Sequence, residues 1–104
     1  MEEFRSFLDY LQIQKRYSPR TLQNYSTAME HFCNYALPQG GTIPPQELLE
    51  ALTAKTFRGF IAERLEAGEK PRTVNLYLSA LSSFCKYLLR KGLLKENPID
   101  SIKR

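Results

Sequence analysis

Residues 18–36 read SPRTLQNYSTAMEHFCNYA, and residues 70–88 read KPRTVNLYLSALSSFCKYL. The two stretches are copies of one segment, because 8 of their 19 positions are identical at a constant offset of 52 residues, without a gap. The identical pairs are Pro19/Pro71, Arg20/Arg72, Thr21/Thr73, Tyr25/Tyr77, Ala28/Ala80, Phe32/Phe84, Cys33/Cys85 and Tyr35/Tyr87. Such a repeat predicts one supersecondary unit used twice. With only two copies, we expect a pseudo-symmetric pair of helical hairpins and not a solenoid.

Each copy has the signals of a helix start followed by a buried face. Proline is favoured at the first helical position; Ser18 before Pro19 is a good N-cap, whereas Lys70 before Pro71 is a poor one. Apolar residues then recur with the 3.6-residue period of a helix. They are Leu22, Tyr25, Met29, Phe32, Cys33 and Ala36 in the first copy, and Val74, Tyr77, Leu78, Leu81, Phe84, Cys85 and Leu88 in the second. We therefore expect both cysteines to be reduced core residues.

The other face of the second copy carries a row of polar residues, which we call the polar stripe. It comprises Arg72, Asn75, Ser79, Ser82, Lys86 and Arg90, at steps of three or four residues. Arginine and lysine bind phosphates, and serine and asparagine reach base edges, so such a face fits a DNA groove. The alternative is a merely solvated face, but solvated faces normally mix charges of both signs, and the polar stripe has no carboxylate.

Around the copies, the pattern predicts an all-α fold of four main helices in two antiparallel hairpins, because a short turn precedes each copy. No segment alternates with the period of a strand. Helices are predicted over residues 2–14, 19–36, 54–67 and 71–91, with a short one at Gln46–Ala51 behind the Gly- and Pro-rich residues 37–45. The expected division of the chain is a first hairpin at 1–36, a connector at 37–52, a second hairpin at 53–92 and an exit toward an interdomain linker at 93–104.

Capping residues and apolar residues refine this prediction. Thr53 and Asn97 are expected N-caps, and Gly68 and Gly92 are expected to end helices. The predicted inward-facing residues are Phe4, Phe7, Leu8, Leu11 and Ile13 in the first helix, Phe57, Phe60, Ile61 and Leu65 in the third, and Ile99 and Ile102 after Pro98.

The charge of the chain is unevenly distributed. The net charge is +4, but residues 1–52 hold 4 Lys/Arg and 6 Asp/Glu, a net charge of −2, whereas residues 53–104 hold 11 and 5, a net charge of +6. The basic clusters are Lys15/Arg16/Arg20, Lys70/Arg72, Lys86/Arg90/Lys91/Lys95 and Lys103/Arg104. The first two flank the N-termini of the two repeat helices, where free backbone N–H groups also favour phosphate. The distribution predicts an anionic partner.

Several classes of protein are disfavoured by the composition. Two cysteines and one histidine, His31, cannot supply a structural zinc site, and we expect no cofactor. No stretch approaches the ~20 apolar residues of a membrane span. The opening MEEFRSFLDYLQ has no apolar signal-peptide region. We therefore expect one cytoplasmic domain without membrane or small-molecule ligand.

Taken in order, three motifs resemble a known family. They are SPRT after a first amphipathic helix, RTVNLYLSALSSFCKYL, and NPIDSIKR at the exit. Together they are similar to the N-terminal core-binding domain of tyrosine recombinases, most of all to Xer-type site-specific recombinases and related phage integrases. The resemblance implies a SAM-like domain of two crossed hairpins that clamps one face of a double-stranded recombination half-site, with other recombinase protomers as partners. It also implies that strand cleavage belongs to a separate C-terminal domain absent from this chain, so that the chain itself is not an enzyme.

The resemblance also implies which residues contact DNA. In the first copy they are Ser18, Arg20, Thr21, Gln23 and Asn24. In the second they are Arg72, Thr73, Asn75, Ser79 and Lys86, to which the polar stripe adds Arg90. Phosphate binding is expected of Lys15, Arg16 and Lys70. Glu30, at the position equivalent to Ser82, would repel phosphate, so the first repeat helix is expected to touch DNA only with its N-terminal third.

Two other functions remain open from the sequence. An all-α protein-interaction module would account for apolar residues outside the predicted core, namely Leu76, Leu89, Leu93 and Leu94. A free-standing enzyme has no support, because no phosphate-binding glycine loop, metal-spaced cluster or activated nucleophile is present. These motifs do not identify the recombination site. Nor do they distinguish chromosome-dimer resolution from integration of a mobile element.

Overall fold

The computed structural model describes residues 2–13, 15–36 and 49–102. Within these ranges the chain is all-helical and contains no strand, which confirms the predicted fold class. The elements are α1 (Glu2–Ile13), α2 (Pro19–Ala36), α3 (Ala54–Glu66), α4 (Pro71–Arg90) and a 3-10 turn (Pro98–Ser101). The repeat copies are thus α2 and α4, and each begins at its predicted proline.

Some predictions fall outside the described residues. These are the break at residues 37–45, the first half of the short helix predicted at Gln46–Ala51, the inward-facing side chain of Phe4, and the basic pair Lys103 and Arg104. Of the short helix, residues 49–51 lie in the described part and have helical backbone.

Local hydrogen bonds set the helix ends where the capping residues predicted them. The Ser18 and Thr53 hydroxyl oxygens each accept a bond from the backbone N–H three residues later, at 3.2 Å in both cases. Lys70 makes no side-chain cap bond. Gly68 (φ +96°) and Gly92 (φ +75°) adopt the left-handed conformation that ends a helix in a Schellman motif. The 6→1 hydrogen bond of that motif runs from Glu69 N–H to the Arg64 carbonyl at 3.1 Å. The equivalent hydrogen bond is present at the end of α4.

The two repeat helices form the centre of the fold, because α2 packs more extensively against α4 than any other pair of elements. Helix α1 packs on α2, and α3 and the 3-10 turn pack on one another and on α4. The largest fully buried side chains are Phe7, Met29, Phe32, Phe57, Phe60, Leu78, Leu81, Phe84, Cys85, Leu88 and Ile99. Both cysteines are buried and reduced, as the repeat predicted.

Aromatic contacts join the helices at close range. The Phe32 ring of α2 stacks on Phe57 of α3 with centroids 4.8 Å apart and meets Phe60 edge-on at 5.6 Å. Beside them Gly59 lies under the Tyr35 hydroxyl, and a Cβ at that position would collide with it. A side chain at position 59 would therefore require the Tyr35 hydroxyl to move.

The prediction of a core position is wrong for two residues. Ile13 is 70% exposed because it follows the buried Leu11 by two residues and so lies about 200° around α1 from it, and Leu65 is 42% exposed at the end of α3. Of the four leucines that favoured an interaction module, Leu89 and Leu94 are half-buried, and Leu94 packs against the core. Leu76 and Leu93 are exposed. Among the described helices, none has the length and apolarity needed to cross a bilayer.

Candidate nucleic-acid interface

The exposed face of α4 carries most of the polar stripe. Arg72, Asn75, Ser79, Lys86 and Arg90 are all exposed, although Ser79 takes part in an interaction within the chain. The helix has no aspartate or glutamate anywhere along its 20 residues. The face therefore presents three cations with hydrogen-bonding groups between them and no carboxylate to repel a phosphate.

One residue assigned to the stripe does not belong to it. Ser82 is only 6% exposed, and its hydroxyl accepts a hydrogen bond of 3.0 Å from the Asn97 side chain. The 3-10 turn that contains the neighbouring Ile99 covers this side of α4, which the spacing within α4 could not reveal. The neighbouring Ser83 is only half-buried and lines a groove together with Lys86 and Arg90. We therefore assign Ser83 to the polar stripe in place of Ser82.

That groove, of ≈ 160 Å³, lies between α1, the α1–α2 turn and α4. We call it the basic groove. It brings together three of the predicted site residues, Lys15, Lys86 and Arg90, although the first is far from the others in sequence. Its remaining lining residues are Phe7, Tyr10, Leu11, Tyr17, Ser83 and Tyr87. Three ammonium or guanidinium groups around one concave surface give it a positive electrostatic potential.

Tyr10 holds Arg90 in place and was not identified from the sequence. The Arg90 guanidinium donates a hydrogen bond to the Tyr10 hydroxyl and lies over the same ring, 5.7 Å from its centroid. Tyr10 in turn packs on Tyr87 at 5.2 Å. A guanidinium has five N–H donors, so Arg90 keeps donors for an external phosphate. The signal available in the sequence was one more aromatic residue on the core side of α1, which does not distinguish Tyr10 from an ordinary core residue.

The α1–α2 turn presents the other residues of the first cluster. Lys15 and Arg16 are exposed, and Arg16 has φ +54°, in the left-handed region that non-glycine residues adopt at a cost. Two backbone bonds close this turn, from Lys15 N–H to the Tyr10 carbonyl at 3.4 Å and from Tyr17 N–H to the Leu11 carbonyl at 3.1 Å. Lys15 and Arg16 are therefore held by the backbone close to the start of α2.

The first turns of α2 and α4 present the remaining predicted contacts. Exposed among them are Ser18, Arg20, Gln23, Asn24 and Lys70, whereas Thr21 and Thr73 are half-buried. The hydroxyls of Ser18 and Thr21 also lie 3.0 Å apart, in hydrogen-bond contact with each other. A single surface that joins all 14 predicted contact residues stays a prediction. Their roles toward DNA likewise stay predictions.

A second polar cluster lies at the C-terminal end of α3. Arg64 donates to Glu63 at 2.6 and 2.9 Å and to Glu69 at 2.7 Å, and its Nη1 lies 3.1 Å from His31 Nδ1. The hydrogen bond from Arg64 lowers the pKa of Glu63, and burial followed by a bond to Glu69 raises the pKa of Tyr77. His31 packs on the Tyr77 ring at 5.4 Å. The cluster joins α2, α3 and the start of α4 and is internally satisfied.

Neither cysteine is activated as a nucleophile. Burial raises the pKa of Cys33 to about 11 and that of Cys85 to about 12, so both thiols are protonated at neutral pH. In the described part of the chain, no three His, Cys, Asp or Glu side chains come together as a possible metal site.

Comparison with known protein families agrees with the all-helical fold. The profile of the family described as phage integrase, N-terminal SAM-like domain, matches residues 4–92, which include all four helices apart from the first two residues of α1. The chain belongs to this family.

The SAM-like domain is also similar to curated tyrosine recombinases. It is 39% identical over 92 residues to tyrosine recombinase XerC of Bacillus pumilus, covering 88% of this chain and 28% of that protein. It is 36% identical over 96 residues to XerC of Bacillus subtilis, with 92% and 30% covered, and 36% identical over 99 residues to a tyrosine recombinase of Thermosipho africanus, with 93% and 33% covered. The chain thus spans about a third of the length of the curated relatives that it matches. No solved structure matches it.

Proposed function

We propose that this SAM-like domain binds double-stranded DNA at a recombination half-site, as the DNA-clamping part of a site-specific tyrosine recombinase. The observation that carries the proposal is the exposed face of α4, which has Arg72, Lys86 and Arg90 and no carboxylate. The basic groove extends this face to Lys15 of the α1–α2 turn. In this proposal strand cleavage belongs to another part of the parent protein, which acts in the cytoplasm together with further protomers on the same DNA.

The proposed division of labour follows from the chemistry of the side chains. Arginine and lysine neutralise phosphates, which supplies most of the affinity without reading sequence. Asn75 and Ser79, between the cations of α4, can donate and accept hydrogen bonds at base edges. At the start of α2, Gln23 and Asn24 offer the same chemistry beside the helix N-terminus, where free backbone N–H groups favour a phosphate. The two repeat helices would then read DNA in equivalent ways.

The experiment is duplex binding by fluorescence anisotropy over a range of salt concentrations, with a candidate recombination half-site and a scrambled duplex. If the domain neutralises ~5 phosphates, log K should fall with log salt with a slope of about −4 to −5. A preference for the half-site would place sequence readout in this domain, whereas equal affinity would make it a clamp. Absence of binding at low salt would refute the proposal.

A matched pair of variants tests the surface. Arg72→Ala with Lys86→Ala removes two cations from the face of α4, and Lys55→Ala with Arg58→Ala removes two exposed cations from α3. Both pairs change the net charge equally, so a general effect of charge would weaken binding equally. We expect the α4 pair to weaken binding at least tenfold more than the α3 pair, since two good phosphate contacts are lost.

The interaction-module alternative rests on exposed apolar residues such as Leu93, which is 46% exposed. It predicts a DNA-free dimer at micromolar concentration in sedimentation, together with duplex affinity that the α4 variants leave unchanged. A dimer combined with unaltered duplex binding in those variants would favour the module over the DNA clamp.

A further inference from the structure

The most exposed leucine of the described residues lies in the middle of the proposed DNA-binding face. Leu76 is 64% exposed on α4. It follows Arg72 by four residues and precedes Ser79 by three, and both of these are exposed. Residues three and four apart are neighbours on a helix surface. An apolar side chain therefore projects from the same strip as the cations and hydrogen-bonding groups.

The position of Leu76 distinguishes it from the other exposed leucines. Leu65 lies at the end of α3 and Leu93 follows the end of α4, so neither shares a face with the cations of α4. Isolated apolar residues are common on protein surfaces and need no explanation. Leu76 differs because the face around it has the charge of a DNA-binding surface. In that setting the side chain is desolvated on binding and meets whatever lies in the groove.

A leucine side chain can recognise only one feature of a B-DNA major groove. It cannot bind phosphate or hydrogen-bond to a base edge. The C5 methyl group of thymine is the apolar group displayed there, and contact with apolar side chains is how it is read. At that place cytosine carries only a hydrogen on C5 and a purine presents its N7 acceptor, so neither offers the isobutyl group of Leu76 a methyl group to contact.

The repeat adds an independent observation. The residue equivalent to Leu76 in the first copy is Asn24, at the offset of 52, and it is also exposed. The two helices therefore present different chemistry at one register, an amide in α2 and an isobutyl group in α4. A surface that only bound phosphates would require neither residue.

We propose that Leu76 is a specificity-determining residue that selects thymine in the half-site through the C5 methyl group. This inference rests on the proposed function and deepens it, because it assigns one base to one residue. Phosphate contacts by Arg72 and Lys86 would position the helix, and Leu76 would discriminate among the bases beneath it.

The test begins with selection of preferred duplexes from a random library by the full chain. In the best duplex, each thymine is replaced singly by deoxyuridine, which removes only the methyl group. We expect one or two positions at which this replacement weakens binding about three- to fivefold, the effect of one buried methyl group. In Leu76→Ala, deoxyuridine should bind as well as thymine at those positions, and the dependence of duplex affinity on salt should be unchanged. Leu76→Asn, which copies Asn24, should shift the preference at that position from thymine to adenine.

Leu93→Ala is the control, since it removes an equally large exposed side chain outside the α4 face. In this variant, replacing thymine by deoxyuridine should weaken binding as much as it does for the unaltered chain. If no position responds to deoxyuridine, or if Leu76→Ala responds as the unaltered chain does, the assignment of Leu76 is wrong while the DNA clamp stands. If the unaltered chain binds no duplex at low salt, both proposals fall.

Discussion

The Asn97 side-chain amide donates a 3.0 Å hydrogen bond to the hydroxyl of Ser82, and both residues are less than 8% exposed. The Asn97 side-chain oxygen Oδ1 also accepts a bond from the Ile99 N–H, again at 3.0 Å. One side chain thus caps the 3-10 turn and anchors it to α4. The turn in turn buries Ile99 against the core.

Replacing Asn97 should uncouple the turn from α4. Asn97→Ala removes the cap and leaves the buried Ser82 hydroxyl without its donor, so we expect the free energy of unfolding to fall by about 2–3 kcal/mol. Urea denaturation followed by circular dichroism measures this loss. Ser82→Ala keeps the cap but leaves the buried Asn97 amide donor unpaired, so its loss should be smaller, about 1–2 kcal/mol. Equal losses in the two variants would show that the cap contributes nothing.

Arg64 should stabilise the fold through the cluster that joins three elements. Its side chain is 16% exposed and bonds to Glu63, Glu69 and His31. We expect Arg64→Leu to lower the free energy of unfolding by about 1–2 kcal/mol at pH 7, because partly buried partners lose a charged donor. Chemical denaturation gives the value, and Arg58→Leu on the exposed side of α3 should change stability by less than about 0.5 kcal/mol.

The contribution of Arg64 should also depend on pH in the acid range. Hydrogen bonding to Arg64 lowers the folded-state pKa of Glu63 below its ordinary value of 4.5. The folded state therefore binds the proton less tightly than the unfolded state, and this stabilisation is present above pH 4.5 and lost as the pH falls below it. The stability difference between the unaltered chain and Arg64→Leu should narrow between pH 5 and pH 3. A difference that stays constant over that range would contradict the role of Glu63.

The two cysteines should resist thiol reagents in the folded chain. Burial raises the pKa of Cys33 to about 11 and that of Cys85 to about 12, and only thiolates react readily. At pH 8 we expect a disulfide reagent such as DTNB to label each thiol of the native chain no faster than the chain unfolds. In 6 M urea the reagent should label both thiols at once. Rapid labelling of one thiol in the native chain would show that its helix opens locally.

The same shifts predict weaker stability at alkaline pH. The folded state holds both protons more tightly than the unfolded state, so stability is complete below the ordinary thiol pKa of 9.0 and falls as the pH rises through the folded values. Cys85→Ala should lose less stability between pH 8 and pH 11 than the unaltered chain. Urea denaturation curves recorded at several pH values across that range measure how the free energy of unfolding changes with pH.

Lys15 should contribute to DNA affinity as much as Lys86, because both line the basic groove. Each Lys→Ala change should weaken duplex binding and reduce the magnitude of the salt slope by about 1, and the pair by about 2, if each lysine holds its own phosphate. Lys55→Ala on α3 is the control, with the same loss of charge at another surface. An unchanged slope for Lys15→Ala would show that Lys15 binds no phosphate.

Much of the fold could be read from the sequence because its signals are local. The prolines and N-caps at Ser18, Thr53 and Asn97 act within one turn, and so do the glycines that close α3 and α4. Helical periodicity likewise identified the buried faces of both repeat copies. Two core assignments were wrong near helix ends: Ile13 lies on the side of α1 opposite the buried Leu11, and Leu65 lies in the last turn of α3.

The sequence by itself therefore determined the helices, the repeat, the family resemblance and the residue types available for DNA. Only the tertiary structure decided which of them share a surface. Ser82 and Ser83 both fit the spacing of the polar stripe, and the choice was made by Asn97, which buries Ser82 from a different element. Lys15 likewise joins Lys86 and Arg90 only because α1 packs beside α4 at Tyr10 and Tyr87. Capping and periodicity act over a few residues, whereas a groove is formed by side chains from separate elements, and no local pattern specifies their meeting.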